Sequence, residues 1–422
     1  MSEVREKALQ ARQAARVLAQ LSSAARDTAL VALANALNAN VEHILAANDL
    51  DIAEARAGGT PEPLIDRLAL SPERIAEAAN GLLQISRQPD PLGRVLEGRR
   101  LANGLRLQKV SVPLGVIGMI YEARPNVTVD AAGLCLKSGN AVILRGGSMA
   151  LRSNLAVTDV LTQAGAAAGL PNGWLASIET SDRSATTELM GLHGLIDLLV
   201  PRGSASLIRA TVEQSKVPVI ETGEGNCHLY VHEAADPETV IPIALNAKTQ
   251  RPGVCNAIET ILVDRSVAAE YIPALLQALI AAGVKVHADT RASELAKGLT
   301  AEEQLSVVAL TAEDWGREYL DLEVALGCVD GLDAAIEHIN QYTTHHSEAI
   351  LSTDYAAVQR FLAEIDAAAV YANASTRFTD GGQFGLGAEL GISTQKLHAR
   401  GPMGIEALTS SKYICEGSGQ VR

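Results

Sequence analysis

A chain of 422 residues, 47% hydrophobic and 20% charged, can bury large apolar cores and reads as a globular protein of two or three domains. Its formal net charge of -14 excludes a general nucleic-acid surface, and aromatics at 3% leave few platforms for stacked bases. No apolar run approaches the ~18 residues that span a bilayer, the opening MSEVREKALQ is charged where a leader would be apolar, and five cysteines form no CxxC pair; a reduced, cytoplasmic protein is expected, with no membrane partner.

Residues 1–85 are rich in Ala and Leu at helical spacing (Ala15, Val17, Leu18, Leu21; Leu30, Leu33, Leu37), which predicts a helical layer. Arg99 to Pro113 alternates on both sides of Asn103-Gly104, a pair that tolerates the positive φ of a type I′ turn, so a β-hairpin is expected. Such an exposed ribbon is either a local sheet edge or an arm that pairs with another subunit. From Ala141 short apolar runs alternate with helical stretches: strand 141–144, helix 150–167, strand 174–178, helix 185–190, strand 195–200, helix 205–214, strand 217–220. A second series follows, with strands at 258–263, 284–287, 323–329 and 367–371 and helices at 267–282 and 334–339. Strand, helix, strand, repeated, predicts an α/β fold with parallel sheets.

The stretch Gln250-Arg251-Pro252-Gly253-Val254-Cys255-Asn256 falls between the helical segment 237–248 and the strand at 258. A thiol in a Pro-Gly turn at an element boundary is presented rather than buried, and a helix end with Arg251 beside it would favour the thiolate; Cys255 is the candidate nucleophile. A lone cysteine is otherwise a small buried hydrophobe. Cys135 and Cys328 lie in apolar runs and read as structural, Cys227 and Cys415 carry no signal, and the adjacent His345 and His346 read as a loop pair rather than a metal site. Two strand ends lead into helices through glycine and serine: Arg145-Gly146-Gly147-Ser148 and Arg202-Gly203-Ser204. Each is an ordinary helix N-cap or a phosphate cradle, and their repetition favours a dinucleotide. The run Gly385 to Gly391 has one residue too many for the dinucleotide fingerprint and follows no strand.

The stretches VPLGVIG, ARPN and LKSGNAVILR, with Gly203-Ser204, Glu221-Thr222-Gly223 and Cys255 in the same order, resemble the aldehyde dehydrogenase superfamily. Within it, YEARPNVTVDAAGLCLKSGNAVILRGG, IETGEGNCH, QRPGVCNAIET, NASTRFTDGGQFGLGAE and STQKLHARGPMG resemble the branch that reduces L-glutamyl 5-phosphate with NADPH in proline biosynthesis. The resemblance implies two Rossmann-like α/β domains with a β-hairpin oligomerisation arm. It places an NADP-binding domain at 1–98 and 114–233, a catalytic domain at 234–395 and the arm at 99–113 and 396–422. It implies Cys255 as nucleophile and Asn126 as oxyanion donor; without it, Asn126 is a turn residue after Arg124-Pro125. Arg145, replacing the superfamily's cofactor lysine, would meet the 2′-phosphate of NADP(H) together with Gly146 and Ser148; Gly203 and Ser204 would meet the pyrophosphate, and Glu318 a ribose hydroxyl. Arg124, Arg251, Arg377 and Asp380 would bind substrate, no metal is implied, and a homo-oligomer (dimer or tetramer) and a glutamate 5-kinase are the candidate partners. Glu221 stands where hydrolytic relatives activate water; a hydrolytic semialdehyde dehydrogenase and a nucleotide-binding scaffold without chemistry remain the alternatives.

Overall fold

Five helices fill residues 3–86: Glu3–Leu18, Ser23–Ala39, Val41–Ala57, Glu62–Leu68 and Pro72–Ser86. Ser2, Ser22 and Ser71 cap the first, second and fifth by accepting backbone N–H bonds, which fixes where each helix starts. The computed structural model describes residues 1–422, apart from the side chain at position 63. Two compact units divide the chain.

The first unit comprises residues 1–222, 385–391 and 402–422. Strands β1 (Val95–Arg100) and β2 (Arg106–Pro113) form the expected hairpin, but Gly104 alone takes positive φ (91°). Gly104 N–H bonds to Leu101 O and Leu101 N–H to Leu105 O, so a longer bulged loop replaces the two-residue type I′ turn. The C-terminal strand Thr409–Glu416 pairs antiparallel with the other edge of β2. Strands β3 (Val116–Tyr121), β4 (Ala141–Gly146), β5 (Leu175–Ser177) and β6 (Leu198–Arg202) make a parallel sheet in the order β5-β4-β3-β6. Both β3 and β4 are buried along their whole length, which is why they read as apolar runs rather than alternating strands. The expected strand 217–220 reduces to one isolated bridge, Leu199 to Val219. Pro218 supplies a carbonyl to Leu199 N–H but has no donor to extend a ladder.

The second unit comprises residues 223–384 and 392–401. Its sheet holds β7 (Cys227–Val231), β8 (Ile258–Asp264), β9 (Lys285–Ala288), β10 (Val307–Ala309), β11 (Glu323–Val329), β12 (Ser347–Leu351) and β13 (Ala369–Ala372), all parallel, in the order β10-β9-β11-β8-β7-β12-β13. Alternate residues face opposite layers. Leu229, Val231, Ile261, Val263, Ala349 and Leu351 pack with Val240, Ile272, Leu275 and Leu279 on one side; Tyr230, Leu262 and Ile350 pack with Ile336, Ile339 and Phe361 on the other. Each such buried Leu, Ile, Val or Phe side chain contributes about 1.5–3 kcal/mol of transfer free energy. Strand β7 therefore belongs to the second sheet, not to the first domain as the expected boundary at 233 had it. Residues 385–391 likewise fall with the first unit rather than with the expected 234–395.

Candidate active site

Helix Pro237–Thr249 ends and β8 begins nine residues later, so the chain between them must turn sharply. Val254 O accepts Ala257 N–H at 3.1 Å, which puts Cys255 and Asn256 at the two corners of a β-turn. Cys255 is half-buried there, as a presented thiol should be.

The turn is held from several directions. Asn256 is buried; its Nδ2 donates to Thr379 O at 2.8 Å, and its carbonyl accepts Thr376 Oγ1 at 2.6 Å. Cys227 Sγ donates to Cys255 O at 3.2 Å. Gly225 lies so close that a Cβ on it would stand 1.5 Å from Cys255 O and 2.6 Å from Cys255 Cα, so glycine is required by backbone meeting backbone. Gly225 N–H in turn donates to Glu318 Oε1 at 2.7 Å.

The electrostatics differ from expectation in one respect. The helix before the loop presents its C-terminal, negative end, which gives a thiolate no help. Cations do. Arg377 is within Coulombic reach of Asp380, Arg251, Cys255 and Cys227, and its Nε donates to Gln250 Oε1 at 2.8 Å. Desolvation lowers the Arg377 pKa and Asp380 opposes that shift. Arg377 thus lies near Cys255 and near two further substrate candidates, Asp380 and the exposed Arg251. Asp380 Oδ1 also shapes its own glycine-rich loop, accepting Gly382 and Gln383 N–H. Burial raises the carboxyl pKa of Glu318. Burial likewise holds Cys227 and Cys135 far above the ordinary thiol range and pushes Cys328 up to about 11, so these three stay protonated and unreactive at neutral pH.

In the first unit, the carboxyl ends of β4, β3 and β6 lie side by side, the place where α/β sheets bind ligands. Arg145 is 6% exposed; its Nη1 donates to Gly146 O and its Nη2 to Ser181 O and Asp182 O at 3.1 and 3.2 Å, while Nε is buried without a partner. Gly146 leaves room for Asn154, whose Nδ2 would lie 2.2 Å from a Cβ. Ser148 is exposed on the turn leading to helix Leu151–Ala167. At the next strand end, Ser204 N–H and Oγ both donate to the Glu122 carboxylate, at 3.0 and 2.8 Å, at the start of helix Ala205–Gln214. Gly203 permits this, since a Cβ there would stand 2.6 Å from Glu122 Cδ. An anion already sits on these donors, so they fit a phosphate group. Asn126 is exposed and opens the helix Asn126–Lys137, directly after Arg124-Pro125. Arg124 is half-buried, its N–H donating to Glu122 O at 2.8 Å.

Sequence reasoning passed over Gly225, Glu122 and a fully buried ion pair, Lys248 with Glu259, at 2.6 Å. The signal for the pair was available: Glu259 is a charge inside the apolar run that forms β8.

The aldehyde dehydrogenase family model matches residues 1–313. A gamma-glutamyl phosphate reductase from Moorella thermoacetica is 53% identical over 420 residues, 100% of this chain and 99% of its own length, and one from Thermobifida fusca is 52% identical over the same shares. The crystal structure of a gamma-glutamyl phosphate reductase from Thermotoga maritima superposes with a TM-score of 0.94 at 44% identity, covering 100% of both chains. The chain belongs to the aldehyde dehydrogenase family and, within it, to the gamma-glutamyl phosphate reductases.

Proposed function

We propose that the chain catalyses the NADPH-dependent reduction of L-glutamyl 5-phosphate to L-glutamate 5-semialdehyde and phosphate, the second step of proline biosynthesis from glutamate. The observation that carries this reading is the Cys255 turn: a presented thiol with its backbone locked, the Arg377 cation nearby, and the other internal thiols held protonated.

In this reading the Cys255 thiolate attacks the acyl carbon, the carbon–oxygen bond to phosphorus breaks, and phosphate leaves with the electron pair. A thioester remains on Cys255. When bound, NADPH supplies the hydride that reduces this thioester carbon. The resulting thiohemiacetal oxyanion collapses, the carbon–sulfur bond breaks, and the semialdehyde departs as the thiolate returns. Both tetrahedral stages place negative charge on one oxygen, for which the Cys255 N–H and the Asn126 side-chain amide are the proposed donors; one such donor contributes about 3 kcal/mol to transition-state stabilisation. Arg124, Arg251 and Arg377 are proposed to hold the phosphoryl and carboxylate groups, with Asp380 for the substrate's amino group. Gly203 and Ser204 are proposed for the cofactor pyrophosphate, Arg145 with Gly146 and Ser148 for the 2′-phosphate, and Glu318 for a ribose hydroxyl. Glu221, half-buried at the end of the first unit's main segment, keeps a positioning role, because water at the thioester would waste the acyl group.

A homo-oligomer is proposed as well. The sheet of β1, β2 and Thr409–Glu416 leaves Val95, Leu96, Tyr413 and Ile414 exposed, more apolar surface than a ribbon in water tolerates. The test of the catalytic reading is Cys255→Ser, which should abolish turnover while NADPH binding stays near wild type. A serine variant that retains more than a few per cent of activity would refute it.

A further inference from the structure

Lys248 and Glu259 flank the Cys255 turn in sequence, seven residues before it and four after. Both side chains are 0% exposed, and Lys248 Nζ meets Glu259 Oε2 at 2.6 Å. Desolvating two charges is expensive, and a well-packed apolar pair of similar volume often does as well or better for stability. Stability alone therefore accounts poorly for the pair. What surrounds it is more informative. The other carboxylate oxygen, Glu259 Oε1, accepts the backbone N–H of Leu320 at 3.3 Å. Leu320 has φ of 55°, a left-handed backbone that is costly for leucine and persists only where its surroundings impose it. Two residues earlier, Glu318 Oε1 holds Gly225 N–H at 2.7 Å, and Gly225 is wedged against the Cys255 carbonyl. The contacts close a ring: Cys255, back along the loop to Lys248, across to Glu259, on to the 318–320 segment, then Gly225 and Cys255 again.

We propose that Lys248 and Glu259 are positioning residues for the Cys255 nucleophile, locking the helix end, the start of β8 and the 318–320 segment into the one arrangement that fixes the Cys255 backbone. This rests on the reading of Cys255 as nucleophile given above. The ion pair has no bond to the thiol; it acts through the ring, which includes Glu318, the residue proposed for a ribose hydroxyl. Burial pushes the Glu259 carboxyl pKa up to about 7, and the Lys248 charge and hydrogen bond oppose that rise while aiming Oε1 at Leu320 N–H. A displacement of the reacting group by about 1 Å typically costs ~100-fold in rate.

The test uses Lys248→Met combined with Glu259→Leu, a neutral pair that leaves no orphaned charge and should keep the melting temperature. The expected result is a kcat lowered 10- to 100-fold, a KM for NADPH changed much less than kcat, and alkylation of Cys255 by iodoacetamide slowed at least 5-fold. Wild-type kcat and alkylation rate in the folded double variant would overturn the proposal. Glu259→Gln, which keeps an oxygen for Leu320, provides a second reading should the double variant not fold: it should show a smaller loss of kcat in the same direction, and wild-type kcat there would also count against the proposal. Mass spectrometry of the alkylated wild type separates the two readings. Inactivation that tracks alkylation of a cysteine other than Cys255 would sink the nucleophile assignment itself, the exposed Cys415 being alkylated in either case, whereas inactivation through Cys255 with an unaffected double variant would sink only the ring.

Discussion

Replacing Gly225 by alanine adds one methyl group, and the structure says where it would go: 1.5 Å from Cys255 O, 2.3 Å from Cys255 C and 2.6 Å from Cys255 Cα. Real Cβ atoms essentially never come within 3.0 Å of such neighbours, so one backbone must retreat by about 1.5 Å, the difference between 3.0 and 1.5. No flexible side chain is available to give way. Overpacking of this kind costs roughly 1–3 kcal/mol of stability, and displacing a nucleophile by that distance costs on the order of 100-fold in kcat. Steady-state kinetics on purified Gly225→Ala should show this loss, with KM for NADPH little changed. Gly81→Ala is the control. It lies within helix Pro72–Ser86 with nothing near its added Cβ, and should keep full activity while gaining up to about 1 kcal/mol. A Gly225→Ala enzyme with more than half of wild-type kcat would show that the Cys255 backbone need not stay where the structure puts it.

Glu122→Gln removes the negative charge on the Ser204 donors while keeping an acceptor oxygen; if a pyrophosphate takes that place, NADPH should bind several-fold tighter by fluorescence titration, and weaker binding would make Glu122 a cofactor ligand instead. Arg145→Ala should weaken NADPH far more than NADH, and equal losses would confine Arg145 to tying the β4 end to residues 181–182. Burial, with help from the charge of His228, lowers the His338 pKa from 6.5 to about 4. Between those values the unfolded chain binds the proton and the folded chain does not. The resulting stability is complete above pH 6.5 and is lost as pH falls towards 4, by about 2 kcal/mol after allowance for partial exposure. Urea unfolding of His338→Leu should lack that component, and parallel pH curves for the two proteins would contradict the assignment.

Much of this was readable from the residues. Strand 323–329 matches β11 end to end, and the Cys255 turn sits between a helix and β8 as its Pro-Gly context requires. What escaped notice shares a physical cause. Strands β7 and β12 carry His228 and Glu348 as their second residues, which break the apolar run a buried parallel strand should show. The two satisfy each other across adjacent strands: His228 Nδ1 lies 3.0 Å from Glu348 Oε2, which also accepts His228 N–H at 2.7 Å. Missing β7 moved the expected domain boundary eleven residues, from 222 to 233. Lys248 and Glu259 repeat the pattern, since a buried charge is recognisable only once its partner is known to face it. The anion on Ser204 was equally hidden, because Glu122 is 82 residues away in sequence.

The central claim is that a thioester on Cys255 is exchanged with phosphate and not with water. Run in reverse, with glutamate 5-semialdehyde and NADP+ in phosphate-free buffer, NADPH formation should stop after one equivalent per active site and resume when phosphate, or arsenate, is added. Steady NADPH accumulation without either anion would make water the acceptor, turn Glu221 into a working general base and contradict the reductase mechanism.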